Sequence, residues 1–283
     1  MGQLFLHRIF GYRGVIVYPW MAIVNDNDLK RKHLPNEPTT SGSQAKQHDA
    51  DTPKPPRQQS SIQSKRAKLE AMDTKPLVHP YYLCLIDSRD CPHVSRILQT
   101  AAVTFLGQYQ GSSRQVYSIK ALDYVAHEDI IPYVSREERP IHHELFDKFF
   151  RYDPHTPHHV ARESLETWKN GNPWLELSQV YRETTENVRV TVIPFFLGST
   201  DIHKTVFYWW RYCVRLENMS DNSVKLVERD WKIFSMSGTL ETIKARGVVG
   251  IEPLLTKTEP AFQYSSHINL VAQSGHMWYV SQH

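Results

Sequence analysis

The 283-residue chain is poor in cysteine, in long apolar runs and in net charge, and each shortage excludes a class of protein. Its three cysteines, Cys84, Cys91 and Cys213, are odd in number and form no C-x-x-C pair. That removes a disulfide framework and a cysteine-built zinc site, and makes a reducing compartment the expectation. No stretch approaches the ~18 apolar residues of a membrane span, and Met1 to Arg8 lacks the apolar centre of a secretory signal. Met1-Gly2 invites myristoylation, but position 6 is Leu where that signal takes Ser or Thr. The net charge is only +3, and residues 25–76 hold ten Lys/Arg against seven Asp/Glu, which leaves 23 of each sign elsewhere. Duplex binding releases counterions from a basic face, so a formally neutral remainder argues against a strong role of that kind.

A dinucleotide loop is also missing, although Ala245-Arg-Gly-Val-Val-Gly-Ile-Glu-Pro253 imitates one. Ala245 stands where the first glycine belongs, and Pro253 and short β-like pieces follow instead of a helix whose N-terminal amides would hold pyrophosphate. The run reads as a bend between strands.

What the chain does contain is alternation. In Val206 to Asn218 one face collects Tyr208, Trp210, Tyr212, Val214 and Leu216, and the other carries Trp209, Arg211, Cys213, Arg215 and Glu217. Period two marks a half-buried strand. Turn-like Asn218 to Ser223 and Ser235 to Gly238 separate further strands at Val224 to Arg229, Trp231 to Phe234 and Thr239 to Lys244, which predicts antiparallel hairpins in a two-sheet sandwich. Gly2 to His7, Gly11 to Val17, Tyr81 to Asp87 and Tyr124 to Ile130 form a second β-rich set, closing as a small barrel. Between the two sets, Pro140 predicts a helix opening at Ile141 and running to Phe150, with another from Val160 to Lys169. These helices are expected to brace the two β units. Residues 25–76 have six prolines, no Phe, Tyr or Trp and few large apolar residues, and read as a disordered excursion. Within them Lys65, Arg66 and Lys68 are either a short nuclear-import signal or a solvated charge run.

Trp210-Arg-Tyr-x-Val-Arg-Leu-Glu-Asn218, Glu228-Arg-x-Trp-Lys-Ile233, Gly247-Val-Val-Gly250, Pro253, Phe262-x-Tyr-Ser265 and Ser274-Gly-x-Met277 together resemble the ApaG domain. That resemblance implies a sandwich of immunoglobulin or fibronectin type over 187–283, ending after Trp278 to His283 where ApaG domains continue, as if truncated. Gly2-Gln3, His7, Gly11-Tyr-Arg-Gly-Val15, Tyr81-Tyr82 and Tyr124 to Ile130 resemble the YccV-like, or hemimethylated-DNA-binding, domain. This places a YccV-like barrel over 1–134, interrupted at about 25–76, and a helical connector over 135–186. The fold class is thus mainly β.

The two domains in this order, with Cys91-Pro-His93, His142-x-Glu-Leu-Phe146 and Arg182 to Asn187, resemble the eukaryotic polymerase delta-interacting family. The resemblance implies a non-catalytic adaptor of nucleus and mitochondrial matrix, without cofactor, active in damage tolerance and translesion synthesis. Its implied partners are the accessory subunit of DNA polymerase delta, the sliding clamp, the primase-polymerase and the ClpX unfoldase. Relatives carry a mitochondrial presequence ahead of the first strand, where this chain has Met1. Two other readings stay open: nucleic-acid binding through the YccV-like domain, and a small-molecule or pyrophosphate site in the ApaG domain.

Catalytic and metal chemistry find little footing. His142-His-Glu144 and His127-Glu-Asp129 lack the second histidine of H-E-x-x-H, and Ser265-Ser-His267 lacks a strained Gly-x-Ser-x-Gly elbow. The candidates are therefore for partner binding. His143-x-x-Phe146-x-x-Phe149-Phe150 imitates a sliding-clamp box, against the alternative of a helix turning its aromatics inward. Trp209, Arg211 and Arg215 share one strand face and are residue types that anchor interfaces; the alternative is that a second sheet or the connector helices cover them.

Overall fold

The computed structural model describes residues 1–28, 77–91, 97–98, 119–156, 159–248 and 250–282. Most of the predicted excursion, the basic run at Lys65, Arg66 and Lys68, and most of Cys91-Pro-His93 lie outside the described residues.

Six strands come first: β1 (Leu4–His7), β2 (Arg13–Asp26), β3 (Leu77–Ile86), β4 (Ile97–Leu98), β5 (Leu122–Ala126) and β6 (Ile130–Tyr133). A four-residue helix α1 (Phe146–Phe149), a short antiparallel pair β7 (Phe150–Arg151) and β8 (Val160–Ala161), and α2 (Glu163–Asn170) follow. The last part contains β9 (Gln179–Thr185), β10 (Val188–Ile202), β11 (Thr205–Asn218), β12 (Val224–Lys225), β13 (Glu228–Ser235), β14 (Leu240–Arg246), β15 (Leu254–Leu255), β16 (Ala261–Leu270) and β17 (Gly275–Gln282). Glu186-Asn187 and His203-Lys204 close the β9–β10 and β10–β11 hairpins, with both residues of each pair at positive φ. That backbone matches the right-handed twist of the strands it joins.

The long strand β2 sets the architecture. Its start, Arg13 to Val15, pairs antiparallel with β1, while its end, Ile23 to Asp26, pairs parallel with Gln179 to Arg182 of β9. One continuous sheet therefore runs β4-β16-β11-β10-β9-β2-β1-β6, with β3 and β5 attached to the other side of β2. Where the sequence predicts two β units braced by helices, the units share a sheet, because a strand of 14 residues is long enough to serve both. The sandwich forms where β13, flanked by β14 and β17, covers β11 and β16. Trp231 and Ile233 of β13 pack there with Tyr212, Val214 and Leu216 of β11 and Phe262 and Tyr264 of β16. The turn after Asn218 crosses from one sheet to the other, so β11 and β13 are not the hairpin that turn chemistry alone suggests.

The predicted helix from Ile141 shrinks to its last turn. His143 explains this: its Nδ1 accepts the Leu145 N–H at 3.0 Å and its Nε2 meets the Lys120 carbonyl at 3.0 Å. A histidine so anchored holds the backbone in a loop, and Ile141 and Leu145 reach the core without a helix. The second helix starts at Glu163, because Val160 and Ala161 pair with Phe150 and Arg151. Both helices join the first β unit's core, where Phe149 and Trp168 meet at 4.7 Å between ring centroids.

The glycine run is a turn, with no helix after it. Val248 and Ile251 exchange backbone hydrogen bonds of 2.7 and 2.9 Å, and Gly247 enters at φ +56. A Cβ there would stand 2.2 Å from the Ile251 carbonyl oxygen. Positive φ and a backbone clash act together, so Gly247→Ala is expected to destabilise the protein by about 2 kcal/mol or more. A denaturant midpoint within error of wild type would show that the turn relaxes freely.

Candidate functional site

Strand β11 has two covered faces, not one. Its apolar face meets β13, and its other face, with Arg211, Cys213, Arg215 and Glu217, is roofed by the first β unit. The strand register places Arg182 of β9, Thr191 of β10, Arg215 of β11 and Gln263 of β16 in one row across four strands. In the next row Arg189 stands opposite Glu217. Facing them across the layer are Tyr81 of β3, Asp123 and Tyr124 of β5, and Glu128 and Asp129 of the single 3-10 turn between β5 and β6. Together these residues enclose a cavity of about 60 Å³, with Arg8 beside Asp129.

The ion pairs are specific. Asp129 is 3% exposed and accepts from Arg215 Nη1 at 2.8 Å and from Arg8 Nη2 at 3.0 Å. Burial alone would raise its carboxyl, but the charge of Arg215 and the bonds from Arg8 and Arg215 outweigh that and hold it below the usual carboxylate range. Asp123 goes the other way. It accepts from the Tyr12 hydroxyl and from Gln263 Nε2, each at 2.7 Å, and from the Tyr124 N–H at 2.8 Å, yet burial prevails and pushes its carboxyl up. Arg182 donates to the Tyr81 hydroxyl at 3.1 Å and lies 3.5 Å from Glu128. The Arg211 guanidinium sits 4.4 Å from the Phe195 ring centroid.

Next to this layer, His7 is 1% exposed and takes the Ile9 and Phe10 N–H groups on Nδ1 at 3.1 and 3.2 Å. Burial first, and the nearby charge of Arg215 second, push its imidazole down to about 3.

Several donors remain without an acceptor: Arg182 Nε, Arg189 Nε, Arg215 Nε and Nη2, Arg211 Nε and Nη2, and the Thr191 hydroxyl. A buried unpaired polar group costs about 1–3 kcal/mol, more when charged, so this concentration sets the site apart from an ordinary core. The chemistry it offers is recognition of acceptor oxygens.

The chain is 51% identical over 279 residues to polymerase delta-interacting protein 2 of Homo sapiens, which covers 98% of this chain and 68% of that protein. It matches the protein of the same name from Mus musculus with the same identity and coverage. The chain belongs to the polymerase delta-interacting protein 2 family. As the motifs from Trp210 to Met277 lead one to expect, this family member carries an ApaG domain, whose family model matches residues 200–279. It is also 36% identical over 98 residues to protein ApaG of Methylocella silvestris, across 35% of this chain and 75% of that protein.

Within the polymerase delta-interacting protein 2 fold, the residues singled out from sequence separate into two groups. Phe146, Phe149 and Phe150 are at most 1% exposed and pack on one another and on Trp168, so the clamp-box resemblance gives way to inward packing. Arg211 and Arg215 lie inside the molecule in the layer just described, covered by the first β unit rather than by the second sheet or the helices. Trp209 is half-buried, beyond the irregularity between Phe196 and Gly198, with its indole N–H donating to Thr200 Oγ1 at 3.0 Å. Ser265 and His267 do not make a triad: the Ser265 hydroxyl meets Cys213 Sγ at 3.1 Å, and His267 points toward Trp209. The meeting of Asp129, Asp123, Thr191 and Arg182 in one layer has no counterpart among the sequence motifs. The available signal was the row Arg-Cys-Arg-Glu on a strand long and aromatic enough to be central, which calls for charged partners from elsewhere in the chain.

Proposed function

We propose that this protein is a non-catalytic adaptor that binds subunits of DNA polymerase delta and the sliding clamp. In this reading it stimulates polymerases, including the primase-polymerase, during damage tolerance and translesion synthesis. Its sites of action are the nucleus and the mitochondrial matrix, where a second role with the ClpX unfoldase is included. The observation that carries the reading is 51% identity across 98% of the chain to relatives named for interaction with polymerase delta. A single sheet running through both β units suits this role, because partners that dock on either unit are held in one fixed relation.

The test is a binding and extension assay with purified components. The immobilised chain is expected to retain the delta accessory subunit and the sliding clamp, and to raise primer extension past a lesion by the primase-polymerase. Trp209→Ala should weaken retention by about tenfold if this half-buried aromatic is an anchor, since anchors lose ~1.4 kcal/mol or more on truncation. Failure to retain either polymerase component at micromolar concentration would sink the proposal.

A further inference from the structure

We infer that the arginine layer between the two β units is a binding site for one small free oxyanion of the phosphate or sulfate class. The argument starts from register. Thr191 lies directly opposite Arg182 on one neighbouring strand and Arg215 on the other, and Arg189 is two residues away on the same face of β10. Opposed side chains on adjacent strands start about 5 Å apart, and Arg182, Arg189 and Arg215 line one cavity with that hydroxyl. Thr191 is 5% exposed, its hydroxyl has no partner, and it lines the same cavity as the arginines. Arg182 Nε, Arg189 Nε and Arg215 Nε and Nη2 are likewise unspent.

The carboxylates in the lining do not consume these donors. Asp129 is taken by Arg8 and Arg215 through other nitrogens, Glu128 faces Arg182 Nη2, and Asp123 is held by Tyr12 and Gln263. Glu217 approaches Arg215 Nε only to 3.8 Å, beyond hydrogen-bond reach. Guanidinium and carboxylate numbers in the lining are equal, so selection comes from directed N–H and O–H groups, which match an oxyanion's several acceptor oxygens better than a halide's single centre. Size fixes the rest. A cavity of about 60 Å³ is far smaller than the ~300 Å³ or more of a typical ligand pocket, so it admits an inorganic oxyanion and excludes a nucleotide. Arg8, with 54% of its side chain exposed, stands beside the Asp129 pair where the layer meets solvent.

The test uses the full chain in inorganic phosphate, in sulfate and in chloride at equal ionic strength, with calorimetric titration and thermal unfolding. Phosphate and sulfate should bind with one-to-one stoichiometry and raise the melting temperature in a saturable way. Thr191→Val keeps the shape and removes the hydroxyl, and Arg189→Gln removes a guanidinium for which no ion pair is formed among the described residues. Each should weaken oxyanion binding about fivefold or more, the loss of one charge-assisted bond, while the midpoint of unfolding in chloride is at or above that of wild type. Equal temperature shifts in wild type and both variants would mean general salt exclusion and overturn the site, as would no heat of binding. Adenosine monophosphate is the second arm: binding as tight as that of free phosphate would overturn the assignment to a free anion.

Discussion

Asp129→Ala is expected to destabilise the protein by about 3–5 kcal/mol, the typical cost of removing one partner from a buried ion pair and leaving the other charge uncompensated. Arg215, whose side chain is 12% exposed, depends on Asp129 Oδ2 at 2.8 Å for its closest carboxylate contact. Its remaining carboxylate, Glu217, is 3.8 Å away. The same substitution takes Oδ1 from Arg8, but Arg8 is half in solvent and loses little. Replacing both partners with apolar residues, Asp129→Leu with Arg215→Met, should recover most of the loss, since an apolar pair of similar volume carries no desolvation penalty. A double-mutant cycle by urea unfolding reads both numbers. A loss below 1 kcal/mol for Asp129→Ala would mean that water reaches Arg215 and that the layer is not sealed.

Acid is expected to destabilise the fold through His7. Its imidazole titrates near 3 when folded and near 6.5 when unfolded, so the unfolded chain takes up a proton first as pH falls. Stability that His7 provides is therefore complete above about pH 6.5 and is lost progressively toward pH 3, at up to ~1.4 kcal/mol per pH unit. The physical reason is that Nδ1 must stay an acceptor for the Ile9 and Phe10 N–H groups in a site next to the positive charge of Arg215. Between pH 6.5 and 4.5 the His7 contribution to this loss is about 2–3 kcal/mol. His7→Asn, which offers an acceptor oxygen and does not titrate, should flatten that slope. Asp129, held low by its arginines, adds its own loss in the same direction only below about pH 4, so the chosen window separates the two. An identical slope in His7→Asn would assign the effect to other groups.

Local structure was largely legible in the sequence, and tertiary partnership was not. The alternation from Val206 to Asn218 gave the two faces of β11 correctly, because period two follows from the pleat and needs no knowledge of neighbours. It could not tell that Arg211 and Arg215 are covered, since an arginine on a strand face reads as solvent-facing until a distant Asp129 is known to meet it. The helix at Ile141 failed for a related reason. Apolar spacing of four fits a helix, but His143 captures its own backbone and the Lys120 carbonyl, and that contact spans 23 residues. The parallel pairing of β2 with β9 has no local signature at all. Turn residues announce antiparallel hairpins, whereas a parallel neighbour more than 150 positions away is chosen only by the assembled core.

That pairing governs how the protein can be made. A ribosome delivers strands β1 to β6 well before Gln179, so the last four residues of β2, Ile23 to Asp26, leave the exit tunnel with one edge bare and must wait for β9. Nascent chains stalled before that point should carry an exposed sheet edge, a template for wrong pairing and for chaperone capture. The sheet that joins the two β units is thus completed only when β9 arrives, late in synthesis.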